Sequence, residues 1–181
     1  HLQVALGQAV AVSYTVTPTA AGGPAPGGNV TVSDGVASCT ATAAAGSCSL
    51  VLNTSGARTL TATYAGDGFN KGSASTGVAH QVKKNSTTSI LAHTPAPSDI
   101  GQNVTVTYSV TGSGGTPTGN VTVGDGVDSC TGTVAAGQCV VDFTTPGERP
   151  LVATYAGDSN FVGSSAGTSH TVRYDTTTTI T

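Results

Sequence analysis

The chain contains no Met and no Trp, and Glu148 is its only Glu. Charged residues fill 8% of its 181 positions and aromatic residues 4%, where a soluble domain carries about 25% charged residues. Each shortage excludes something. Long helices draw on Leu, Glu, Lys, Gln and Arg, which are scarce here, so a helical protein is excluded. The net charge is −3 and no basic cluster exceeds Lys83-Lys84, which leaves no electrostatic footprint for a nucleic acid. No apolar run approaches the ~20 residues of a membrane span. A single Glu rules out a glutamate pair of the glycosidase kind, and no Ser stands in a nucleophile-elbow pattern, so the chain reads as non-enzymatic and without a cofactor.

What is abundant points one way. The chain has 32 Thr and 25 Gly. Thr and Val form strands and Gly punctuates turns, so the fold class is all-β. A disordered Thr-rich linker would share this composition, but it has no reason to alternate Val, Leu, Ala and Tyr with Thr and Ser as this chain does.

Internal repetition sets the domain organisation. GQAVAVSYTV at 7–16 matches GQNVTVTYSV at 101–110, and GNVTVSDGVASCT at 28–40 matches GNVTVGDGVDSCT at 119–131. AAGSC at 44–48 matches AAGQC at 135–139, and ATYAGD recurs at 62–67 and 153–158. The offset falls from 94 to 91 across the Gly/Pro loop 17–27, which shortens to 111–118, and surface loops are where indels belong. The first copy parses into strands at about 8–17, 29–33, 36–42, 47–52, 57–64 and 75–83. Val10, Val12, Tyr14 and Val16 share one face. Asp34-Gly35 and Asp125-Gly126 read as two-residue hairpin turns. One-sided apolar faces of this kind are buried by two antiparallel layers.

The second copy opens with STTSILAH at 86–93, which has no equivalent before Gly7. DTTTTIT at 175–181 matches NSTTSIL at 85–91. The division is therefore 1–84 for a first unit lacking its opening strand and 85–174 for a second. Residues 175–181 form the opening strand of a following repeat, or a donor strand for the next subunit. Only Lys84-Asn85 joins the two units, which predicts stiff end-to-end stacking. Two such units make a rod on the order of 80 Å.

Cys39…Cys48 and Cys130…Cys139 repeat one spacing. Each pair falls on the two arms of one predicted hairpin, with no His clustered beside it, so disulfides within each hairpin are expected rather than zinc. Closing so short a loop is worth roughly 2.5–3 kcal/mol, and disulfides imply an oxidising compartment. A start at His1 without Met fits a mature secreted chain or a fragment. His80 and His170 occupy equivalent late-strand positions and read as strand-face histidines. Asp34, Asp67, Asp125 and Asp158 recur beside Gly and read as turn residues rather than calcium ligands. Sequons at Asn29, Asn53, Asn85, Asn103 and Asn120 are candidate glycosylation sites.

The motif PxGNVTVxDGVxSCTxTxAAGxCxxxxxxxGxRxLxATYAGDxxFxGSxA resembles bacterial Ig-like repeat domains, and the resemblance covers both units. It implies seven-stranded β-sandwiches, no catalytic residues, and a role as a spacer or adhesin stalk at the cell surface. An in-hairpin disulfide and the absence of a core Trp separate the chain from antibody-type domains.

Three functions are open at this level. One is a structural rod. A sharper form is a head-to-tail filament in which Asp175, Thr176, Thr177, Thr178, Thr179, Ile180 and Thr181 add as a strand to the first unit of the next copy. The alternative is a fragment of a longer adhesin or surface-protein stalk that presents a glycan- or protein-binding domain. The partners expected are further copies or neighbouring repeats of the same chain, with a glycan or a surface protein as a further candidate.

Overall fold

Alternating Val and Thr become a strand only where a neighbour completes the ladder, and the two copies differ in that respect. The structure is a computed structural model that describes residues 2–181. It divides into two units, the second beginning at Lys84. The first contains β1 (Leu2–Ala5), β2 (Ala9–Ser13), β3 (Asn29–Ser33), β4 (Ser38–Thr42), β5 (Ser47–Val51), β6 (Gly56–Tyr64), β7 (Ser73–Ala74) and β8 (Val78–Lys83). The second contains β9 (Ser86–Thr94), β10 (Ser98–Asp99), β11 (Asn103–Gly112), β12 (Asn120–Gly124), β13 (Ser129–Thr133), β14 (Gln138–Asp142), β15 (Gly147–Tyr155) and β16 (Ser164–Arg173). A 3-10 turn at Ala43–Ala45 is the one helical segment among the described residues. The chain is all-β.

In the second unit, a sheet ordered β10-β16-β15-β12-β13 packs on a sheet ordered β14-β11-β9. β9 runs antiparallel along β11, from Ser86 opposite Gly112 to Thr94 opposite Thr105. The chain then passes Pro95 and Pro97 into the other sheet, where β10 lies parallel to β16. β9 and β10 are thus two halves of one opening strand, and the unit is a seven-stranded sandwich.

The first unit has the larger sheet, β1-β8-β6-β3-β4 with β7 on β6, but its second sheet is only β2-β5. β1 lies parallel to β8 as β10 does to β16. The opening strand expected to be missing is therefore half present. Four residues, LQVA, are too few for a period-2 signal to reveal. No described residue of this unit takes the place of β9. The consequence is visible in β2, which stops at Ser13 although alternation continues to Thr17. The equivalents of residues 14–17 are 108–111, whose ladder partners all come from β9.

The same difference sets core burial. Val104, Val106, Tyr108 and Val110 are buried, Val110 the most exposed at 8%. Their counterparts Val10, Val12, Tyr14 and Val16 are only half-buried. Behind them Val30, Val32, Leu50, Leu52 and Tyr64 remain fully enclosed.

The cysteines pair as Cys39–Cys48 and Cys130–Cys139. They do not cross a hairpin ladder, however. β4 and β5 belong to different sheets, as do β13 and β14, so each disulfide ties one sheet of its unit to the other. The turn between them redirects the chain. Thr42 accepts the Ala45 N–H at 3.2 Å, and Gly46 follows in the left-handed region at φ 67°. Thr133 and Gly137 repeat the device.

The Asp-Gly turns also differ from expectation. Ser33 pairs with Ser38, so four residues, 34–37, form the loop. Asp34 Oδ1 accepts the N–H groups of Val36 and Ala37 at 2.9 and 2.7 Å, which widens a two-residue turn into this loop. Its other oxygen takes Arg58 Nε at 2.7 Å. Asp125 does the same with Val127, Asp128 and Arg149. Burial alone would raise these carboxyls, but the loop N–H groups and the guanidinium outweigh it and hold both below the usual value.

Two outcomes are expected. Leu151→Ala, at a site with no exposure, costs the second unit an amount in the upper half of about 2–5 kcal/mol. Leu60→Ala beside the thinner core costs the first unit less, because fewer packed atoms surround it; urea unfolding of each variant measures both. Arg149→Leu strands a carboxylate with no exposed side-chain surface and costs about 3 kcal/mol at neutral pH. A depressed carboxyl stabilises above its unfolded value of about 3.9 and loses that contribution as pH falls through the folded value. The variant and the wild type therefore converge in stability below about pH 4, which a pH series of melts checks.

Candidate functional site

A groove of about 520 Å³ opens between the two sheets of the first unit. One wall is Val10, Val12, Tyr14 and Val16. The floor includes Val30, Val32 and Leu60, and the far wall carries Val78 and His80. It is mostly apolar and is bordered by Tyr14, Thr15 and Val16, whose backbone lies outside any ladder.

In the second unit the corresponding place is filled. There β9 lies along β11 and sends side chains between the sheets. Ser86 Oγ donates to the Val162 carbonyl at 2.7 Å, and the Thr88 hydroxyl meets Ser164 Oγ at 2.7 Å. Ile90 packs on the buried cluster. His93 Nδ1 lies 3.0 Å from His170 Nδ1, and His170 Nε2 lies 2.9 Å from Ser98 Oγ. His170 also stacks on Phe143 with ring centroids 4.9 Å apart.

His80 is the counterpart of His170 and is 3% exposed, yet among the described residues neither ring nitrogen has a hydrogen-bond partner. The β1 register puts Val4 opposite Val82, where the second unit has Ser98 opposite Val172. Burial lowers the pKa of both imidazoles, and for His170 the charge of His93 adds to the effect. Sequence reasoning placed both on strand faces. It did not single out the groove, because the feature exists only where two sheets leave a gap.

The remaining candidates have structural roles. Asp67 Oδ1 accepts the Phe69 and Asn70 N–H groups, and Oδ2 accepts the Gly27 N–H. These bonds, that of Phe69 foremost, hold its carboxyl far below the usual range. At Asp158 burial would raise the carboxyl, but donors from Thr118, Asn160 and Phe161 overcome it. The neighbouring Tyr155 phenol is pushed up to about 12, first by burial and then by Asp158. Among the described residues no three His, Cys, Asp or Glu side chains group as metal ligands. Asn29, Asn53, Asn85, Asn103 and Asn120 are all exposed. Residues 174–181 lie outside any ladder, with Ile180 fully exposed.

The fold has known counterparts. Fibronectin(III)-like modules of Clostridium thermocellum CbhA share 17% identity at a TM-score of 0.52, covering 94% of this chain and 87% of theirs. The adhesin InvE of Yersinia pseudotuberculosis matches at 19% identity and TM-score 0.39, over 96% of this chain and 57% of that one. A C-terminal fragment of intimin, solved with the intimin-binding domain of its translocated receptor, matches at 15% and 0.46, over 89% and 58%. The chain therefore spans less than two thirds of either adhesin structure. No curated protein sequence matches it. The model of the bacterial Ig-like domain (group 3) matches residues 1–83 and again 91–173, and no enzyme family is indicated. With both units matched, the chain belongs to the bacterial Ig-like domain family and carries two of its domains in tandem.

Proposed function

We propose that this chain is a non-enzymatic stalk segment of an extracellular surface protein, and that copies join head to tail by β-strand addition. The donor is Asp175–Thr181 and the acceptor is the groove along β2 in the next copy. The single observation that carries this reading is the groove itself, which is the place β9 fills in the sister domain of the same chain.

The β9–β11 register translates directly. Tyr108 opposite Ile90 and Val110 opposite Thr88 become Tyr14 opposite Ile180 and Val16 opposite Thr178. The donor then pairs with residues 14–18, the stretch that has no ladder. Half-burying Ile180, as Ile90 is half-buried, contributes about 1 kcal/mol. A second contact follows from the same register. The Lys84 N–H donates to the Asn160 carbonyl, and Lys84 accepts from the Val162 N–H. At the junction Tyr174 replaces Lys84, and it meets the loop that carries Phe69. These two aromatics are 71% and 86% exposed, and a junction would cover both. A head-to-tail contact does not close, so it propagates. Family membership and the two disulfides support an extracellular or surface location. The five exposed Asn residues would suit glycosylation there.

The second reading is a stalk segment within a longer array that carries a glycan- or protein-binding domain elsewhere. In that case residues of the same polypeptide fill the groove. The loops 17–27 and 111–118 carry no aromatic residue to stack on a sugar, which supports placing any binding domain outside these two units.

Size-exclusion chromatography with light scattering across a concentration series tests the assembly. The intact chain is expected to form species that lengthen with concentration and appear as fibres by negative-stain microscopy. Deletion of residues 175–181, or Ile180→Asp, is expected to leave monomers. An intact chain that stays monomeric throughout, with the same stability as the deletion, overturns the filament and leaves the array segment.

A further inference from the structure

Strand addition accounts for the apolar length of the groove but leaves His80 unexplained. The ring faces the groove, is 3% exposed and has no partner on either nitrogen among the described residues. A neutral imidazole offers one donor and one acceptor, and enclosing both without partners is unfavourable. The sister ring His170 meets this need from its opening strand alone, through His93 on β9 and Ser98 on β10. The first unit's half strand β1 puts Val4 at the Ser98 position and so supplies no polar partner. The position left to supply one is the strand along β2.

We infer that His80 is the selectivity residue of the groove, which accepts a strand of the pattern Thr-x-Ile-x-x-His, as in Thr88–His93. The histidine stands three residues after the half-buried isoleucine. This rests on the strand-addition reading of the groove, though not on which segment is the donor.

The spacing has a geometric cause. In a regular strand, residues three apart point to opposite faces. In β9 the register shifts, so that Ile90 lies opposite Tyr108 and Ala92 opposite Thr107. Leu91 is the extra residue, and such a bulge returns the following side chains to the other face. Ile90 and His93 therefore both reach inward. His93 lies opposite Val106, whose counterpart Val12 lines the groove together with His80. Asp175–Thr181 aligns with Asn85–Leu91, so it supplies the threonine and isoleucine of this pattern but not the histidine.

The test is a titration of the full chain, carrying Ile180→Asp to keep its own tail out of the groove. Three synthetic peptides are used: residues 85–94, the same peptide with His93→Ala, and residues 175–181. The first is expected to bind at least about tenfold more tightly than the second, the effect of one buried hydrogen bond. His80→Phe in the chain is expected to abolish that difference while still binding the alanine peptide. Equal affinity of the first two peptides for the His80 chain overturns the role of His80 and leaves strand addition standing. Absence of binding by all three overturns both. The comparison on the His80 chain stands even where His80→Phe fails to fold.

Discussion

Both domains depend on a strand lying along one edge. β2 and β11 are the same strand in sequence terms, and each offers one ladder to a partner within its sheet and a second ladder to an opening strand. Where β9 occupies that second edge, the strand runs ten residues and its inward side chains are buried. Without it the strand stops after five, and its inward side chains are half-buried. Backbone pairing and core burial fail together, since the strand that satisfies the amides is also the lid over the apolar cleft.

This coupling explains why two nearly identical sequences produce unequal cores. GQAVAVSYTV and GQNVTVTYSV carry the same alternation, and nothing local distinguishes them. Their difference comes from the segment that precedes the motif, since β9 (Ser86–Thr94) stands just before GQNVTVTYSV and no described residue of the first unit takes its place. The disulfides and the Asp–Arg loops, by contrast, are equal in the two units, because each is built from residues within its own repeat. These devices hold the sheets together, and the opening strand decides whether the sandwich is filled.

Much of the fold was legible because Val–Thr alternation and repeated turn residues are strong signals. The strand at 29–33 coincides with β3, and the tandem repetition read from the motifs matches the two domains of the family. What could not be read was anything set by placement between sheets. Cys39 and Cys48 looked like two arms of a hairpin, since nine residues of sequence cannot tell a ladder from a crossover. Arg58 and Arg149 stood in the repeated GxRxL motif without a role, because their aspartates lie 24 residues away. His80 appeared as one more strand residue. Its significance appears only by contrast with His170, whose partners lie more than 70 residues from it in sequence.

The parallel pairing of β1 with β8 has a mechanical consequence. β1 is the first described strand of the first unit and β8 its last, and the two run side by side in the same direction over four registered residues. A pull applied at the two ends of this domain draws β1 back along β8. The ladder is then loaded in shear, so its hydrogen bonds bear the force together instead of opening one after another. A domain loaded this way resists extension through β1 and β8 while its other strands carry little load.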